Sequence, residues 1–157
     1  MAKEHNYNLT IQWTGNLGKD TLDYHSYDRS HIISSSGKPQ ISGSSDPHFR
    51  GDISKYNPEE LFLASISSCH MLWFLHLCSD RGILVEKYVD YPIGCMVTDA
   101  SGGGKFKNVT LNPYIKLKNG SIIAKTIDEI HAKAHKLCFI ANSVNFPIQI
   151  LTHQEKK

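Results

Sequence analysis

No C-x-x-C pair and no H-E-x-x-H run occurs in this 157-residue chain, so the common zinc signatures are absent, and no metal or cofactor is expected. The four cysteines are also too widely spaced to resemble the disulfide framework of a small secreted domain. Charge of one sign is not concentrated anywhere. Seventeen Lys and Arg oppose fifteen Asp and Glu, for a formal net charge of +2, and the lysines are scattered rather than striped. A nucleic-acid partner is therefore not expected. The opening "MAKEHNYNLTIQW" lacks an apolar run of signal-peptide length, which makes a cytoplasmic location the expectation. Internal repeats are absent, and "SGGG" is too short to link domains, so one domain over residues 1–157, with a sizeable core, is expected.

Strand periodicity opens the chain, with Tyr7, Leu9, Ile11 and Trp13 alternating before a glycine turn. A short strand in "SHIISSS" precedes a Gly/Ser/Pro-rich loop from about Ser36 to Tyr56. Further on, "LVEKYVDYPIGCMVTDA" and "GKFKNVTLNPYIKLKNG" read as two strands joined around "ASGGGK". A second helix, from about Ser121 or Thr126 to Ser143, and a last strand, "FPIQILT", complete the order. Strands, helix, strands, helix, strand argues for α+β with antiparallel pairs rather than a doubly wound parallel sheet.

The segment "YNPEELFLASISSCHMLWFLHLC", Tyr56 to Cys78, is the most informative. Asn57 is a good N-cap, Pro58 suits the first helical position, and Glu60 can reach back to the cap's own N–H. Glu59 and Glu60 suit the positive end of the helix dipole. From Leu61 to Leu77 no residue carries a formal charge, and Gly82 supplies a C-cap. This run is slightly short and too polar for a membrane span, so the expectation is a helix buried on several sides by protein, with no membrane partner.

Cys69 stands in that helix within "SSCH", small polar residues in an otherwise apolar setting, which points to access at the sulfur. Free cysteine usually packs as a small hydrophobe, and that is the competing reading for Cys69, Cys78 and Cys95 alike. Cys78 lies about 180° round the helix from Cys69, so the two cannot serve one site. On the second helix His131, His135 and Cys138 fall on one face. They and Cys69 number four donors, but without a zinc spacing the set is not read as a metal site. Arg50, in "DPHFRGD", could fold over a pocket.

Together, "NPEELFLASISSCHM" and "HKLCFIANSV" resemble the two signatures of the OsmC-like family, the osmotically inducible protein C and organic hydroperoxide resistance group, over most of the chain from about Ser42. The resemblance implies that Cys69 is the peroxidatic cysteine, Cys138 the resolving one, and Glu59 the glutamate of the Asn-Pro-Glu motif. The family's arginine comes from the region before the helix. Aligning Phe49 and Gly51 puts His48 at its position, and Arg50 is taken for the role. Also implied is an intertwined homodimer, with two long central helices and a sheet shared between subunits. The activity implied is thiol-dependent reduction of organic hydroperoxides with a dithiol reductant. The rival reading is a non-enzymatic protein that holds a small hydrophobic ligand. Glu59 and Cys69, ten helical residues apart, would stand about 15 Å from one another along one axis, so cooperation between them implies a second subunit.

Overall fold

In the computed structural model, residues 3–118 and 124–154 are described, and the chain divides into two compact units, Met1–Leu61 and Phe62–Lys157. The first unit holds the antiparallel sheet β1 (Thr10–Trp13), β2 (His31–Ser34) and β3 (Ile41–Gly43), in that order. β3 lies inside the segment expected to be loop. Three residues are too few for an alternating pattern to register, and β3 exists because β2 offers it a partner from Ile33↔Ile41 to His31↔Gly43. After it, Pro47–Phe49 forms a 3-10 turn capped by the Asp46 side chain. The loop then closes on itself: a Cβ on Gly51 would stand 1.5 Å from the Ser45 carbonyl oxygen, so no other residue fits there without moving that backbone.

The helix α1 spans Pro58–Asp80, as expected from the sequence. Asn57 Oδ1 accepts from the Glu60 N–H at 2.8 Å and Glu60 Oε2 accepts from the Asn57 N–H at 3.0 Å, the reciprocal pair foreseen from Asn-x-x-Glu. At the other end Gly82 takes φ +66°, and the Ile83 N–H returns to the Cys78 carbonyl. By length and composition α1 could cross a membrane. Within the chain it is packed as a core helix along one stripe: Ile66, His70, Phe74, Leu77 and Cys78 are buried. The expectation of burial on several sides is therefore met on one side only, because a single chain covers that stripe and leaves Ala64, Ser68, Leu72 and His76 exposed.

The second unit completes its core with strands that read as two in sequence but form four. β4 (Val85–Asp90) pairs with β7 (Pro113–Leu117), and β5 (Ile93–Thr98) pairs with β6 (Gly104–Leu111), both antiparallel. The breaks fall at Tyr91-Pro92 and at Asn112, where prolines cannot donate to a ladder. There the Asn112 N–H donates to Asp90 Oδ1 at 2.7 Å, and Asn112 Nδ2 donates to the Tyr91 carbonyl at 3.0 Å. The expected last strand is β8 (Ile148–Ile150), parallel to β6, and a further strand not expected from the sequence, β9 (His153–Gln154), runs parallel to β7. These parallel pairs depart from the all-antiparallel expectation: the crossover through α2 returns the chain in the direction it left β7. The order is α+β with two helices, as expected.

α2 spans Ala124–Leu137 and ends six residues earlier than expected, while the alternative start at Ser121 lies outside the described residues. Past Leu137 the chain tightens, with the Cys138 N–H on the His135 carbonyl and Asn142 Nδ2 on the Lys136 carbonyl, before a 3-10 turn at Ala141–Ser143. Phe74, Leu77 and Cys78 of α1, Ile115 and Leu117 of β7, and Ile127, Ile130 and Ala134 of α2 make one core cluster; Ile66, Val109 and Leu111 make a second. Replacing the cap, Asn57→Ala, orphans the Glu60 N–H and lowers stability by about 1 kcal/mol. Urea unfolding monitored by circular dichroism measures it, with Asn57→Asp close to the parent.

Candidate functional site

Cys69 and Cys138 are neighbours, and the side chain of Cys69 raises the pKa of the Cys138 thiol. Cys69 sits on α1, half-buried, and Cys138 is fully buried in the tightened turn after α2. That early end of the helix matters to the site. Were α2 to continue, Cys138 would keep regular helical geometry; instead its sulfur accepts from the Ala141 N–H at 3.4 Å. Burial first, and then the neighbouring Cys69 side chain, push the Cys138 thiol up to about 11, so it stays protonated near neutrality. Both cysteines are free, as are Cys78 and Cys95. Trp73, one turn beyond Cys69, meets Phe139 edge to face at 5.9 Å, which sets two aromatic rings beside the pair in sequence.

Cys78 belongs to the core cluster, where burial pushes its thiol up to about 11. Cys95 is exposed on β5. Of the apolar residues nearest Cys69 along α1, Ile66 and Phe74 are fully buried in the two separate core clusters, while Leu63 and Trp73 are half-buried.

His131 and His135 do not join Cys138. His131 turns inward to His70 of α1, Nδ1 to Nε2 at 2.8 Å, and both rings are buried. Among the described residues no group of three or more His, Cys, Asp or Glu is placed to hold a metal ion. The His70–His131 pair was not foreseen, although its signals were present: His70 falls four residues after Ile66 and four before Phe74, and His131 adjoins Ile127, Ile130 and Ala134 on the apolar face of α2.

Arg50 and Glu59 lie in the other compact unit. Arg50 is exposed at the end of the 3-10 turn, with φ +65°, a left-handed conformation uncommon for a residue with a Cβ. His48 is exposed too, its Nδ1 on Asp46 Oδ1 at 2.7 Å. Glu59, in the first turn of α1, has a buried Oε2 with no hydrogen-bond partner among the described residues. Sequence reading missed Arg29, in "DYHSYDRS". Its guanidinium lies over the rings of Tyr24 and Tyr27, 4.3 and 4.2 Å from their centroids, and donates to both of their carbonyls. The tyrosines at two and five residues before it were the available signal.

Residues 51–153 match the family model described as OsmC-like protein. The chain belongs to the OsmC-like family. None of the curated proteins matches this sequence. Among solved structures, the chain is similar to an OsmC-like protein of unknown function from Vibrio cholerae, at 28% identity and TM-score 0.86, covering 95% of this chain and 99% of that one. It is also similar in fold to organic hydroperoxide resistance proteins of Elizabethkingia anophelis (17% identity, TM-score 0.69, 99% and 100% covered) and Legionella pneumophila (17%, 0.68, 97% and 99%). The OsmC-like fold accounts for the two helices and the broken sheets as one architecture.

The thiol environments predict an order of modification. In the native protein, iodoacetamide at neutral pH labels exposed Cys95 readily and leaves Cys78 and Cys138 largely untouched, since burial and a raised pKa both suppress the thiolate. Peptide mass mapping over time checks this, and early labelling of Cys138 contradicts the closed environment described.

Proposed function

We propose that this protein is a thiol-dependent peroxidase that reduces organic hydroperoxides through a cycle of Cys69 and Cys138. The proximity of these two thiols carries the reading, because a second sulfur beside the first is the requirement for resolving an oxidised cysteine. The Cys69 thiolate attacks an oxygen of the O–O bond, giving Cys69 sulfenic acid and an alkoxide, which takes up a proton and leaves as the alcohol. Cys138 then attacks the Cys69 sulfur; the disulfide forms, the hydroxyl leaves, and with the Cys138 proton it departs as water. A dithiol reductant returns both thiols. The names of the Elizabethkingia and Legionella proteins agree with the substrate class. The aromatic pair Trp73–Phe139 and the half-buried Leu63 favour a hydroperoxide with an apolar body. The reading includes a cytoplasmic location, with neither nucleic acid nor membrane as partner.

A thiolate on an apolar helix needs a nearby positive charge, and the roles of Arg50 and Glu59 follow from that need. Arg29 is the second candidate, favoured by its held guanidinium. Cys69→Ser abolishes turnover of cumene hydroperoxide, because a serine hydroxyl is scarcely ionised near neutrality. Cys138→Ser still consumes one equivalent to form the sulfenic acid, and under excess hydroperoxide a second equivalent takes Cys69 to sulfinic acid, a gain of about 32 Da. Removing the activating arginine lowers the thiolate fraction, and the initial rate, by about tenfold or more; Arg50→Ala and Arg29→Ala compared side by side identify it. An oxidised protein whose bridge maps to Cys78 or Cys95 overturns the cycle and favours the ligand-holding alternative.

The same reading places the protein in an intertwined homodimer. Its support is the exposed, uncharged stripe Ala64, Ser68, Leu72 and His76 on α1, together with the orphaned Glu59 Oε2, which a second subunit's arginine would satisfy. Sedimentation equilibrium at micromolar concentration is expected to give twice the 17.7 kDa chain mass. Leu72→Glu, charging the exposed stripe, shifts it toward monomer and lowers activity; a fully active monomer sinks the assembly.

A further inference from the structure

The rings of His70 and His131 lie within 4° of parallel, with centroids 5.1 Å apart. The hydrogen bond of 2.8 Å plus the two ring radii accounts for the whole of that separation, so the rings meet edge to edge in one plane, and the bond is close to linear. A linear bond between two rigid rings, one on each helix, leaves little freedom for α2 to slide or turn against α1. Phe74 lies flat on His131 at 4.2 Å and packs against Tyr88 of β4 at 5.5 Å, closing the site with apolar surface.

We propose that the His70–His131 hydrogen bond is a positioning contact that holds α2, and with it Cys138, against the Cys69 helix, and that mild acid releases it. The consequence for resolution rests on the peroxidase reading; the release itself does not. The outer nitrogens, His70 Nδ1 and His131 Nε2, are buried and have no hydrogen-bond partner among the described residues. A neutral pair shares one proton across the bond. A first added proton puts an unpaired charge in the core, and a second makes both facing nitrogens donors and removes the bond.

The surroundings supply no compensation. From α2, His135 faces His70 and opposes its protonation; from β4, Tyr88 stands beyond Phe74 with its hydroxyl buried and unpartnered among the described residues; β7 contributes apolar Ile115 and Leu117 to the core that Phe74 joins. Asp90, which adds to the upward shift of the Tyr88 hydroxyl after burial, accepts from Ser67 Oγ and the Asn112 N–H rather than from either ring. Burial first, then His135, holds His70 down at about 4; burial first, then His70, holds His131 down at about 3. Because the separated rings have the ordinary histidine value of about 6.5, they take up protons that the closed pair refuses, so release begins as pH falls below about 6.5 and levels off only near the closed-state values. Each ring favours the released form by about tenfold per pH unit across that window.

The test is amide hydrogen exchange of the reduced protein from about pH 7 to about pH 4.5, resolved by segment, with Cys69 products mapped by mass after excess cumene hydroperoxide in the absence of reductant. Expected is protection in α2 that falls with acid by about tenfold or more per pH unit while β6 is unmoved, and a rising ratio of Cys69 sulfinic acid to disulfide. In His70→Phe/His131→Leu both effects are lost, apart from the thiolate dependence that the two proteins share. Protection in α2 that is flat with pH, or that falls equally in the double variant or together with β6, overturns the proposal. Should the double variant not fold, the parent's segment-resolved exchange decides alone. Release of α2 with Cys69 unoxidised at every pH supports the contact and overturns the peroxidase reading.

Discussion

Seventeen consecutive residues without a formal charge, from Leu61 to Leu77, have to be kept from water as a helix, and the rest of the fold follows from covering them. One stripe is covered within the chain. The second unit's cores are both built on it, Ile66 in one cluster and Phe74, Leu77 and Cys78 in the other. The same constraint explains where polarity is tolerated. His70 is allowed into the stripe only because His131 meets it, and Ser67 is allowed because Asp90 accepts from its hydroxyl at 2.5 Å.

Cys69 and Cys138 illustrate how a core can hold thiols without losing its packing. Four free cysteines of one chemical type acquire different characters from burial and neighbours alone. Cys78 is held protonated among Phe74, Ile127 and Ile130, Cys95 stands in solvent on β5, and Cys138 is buried near enough to Cys69 for that side chain to raise its pKa. In the proposed cycle, a resolving thiol gains from being protonated until its partner is oxidised: it does not compete for the hydroperoxide, and it is already in place when the sulfenic acid appears. The price of that placement is a helix cut short at Leu137, with Asn142 capping what the helix leaves open.

Much of the backbone was legible in the residues. The start of α1 could be read from Asn57, Pro58 and Glu60, and its end from Gly82, because caps are local chemistry that tertiary context rarely overrides. The strands within residues 84–118 were legible as two long ones, but the break in each was not. It depends on Pro92 and on Asn112 finding Asp90 and Tyr91 across the ladder. β3 was unreadable because three residues carry no period, and the parallel last strand because direction is set by where the α2 crossover lands.

By itself the sequence determined an α+β chain with an uncharged central helix, membership of the OsmC-like family, and the two cysteines worth examining, since spacing, capping and motif are properties of neighbours along the chain. Tertiary structure alone decided which groups meet. It brought Cys138 to Cys69 across 69 residues, turned His131 away from Cys138 and onto His70, and gave Arg29 the two tyrosines that hold it while leaving Arg50 exposed. Those pairings depend on how helices and loops pack. Packing is settled by the shape and burial of whole faces, to which any one residue's identity contributes little that can be read in isolation.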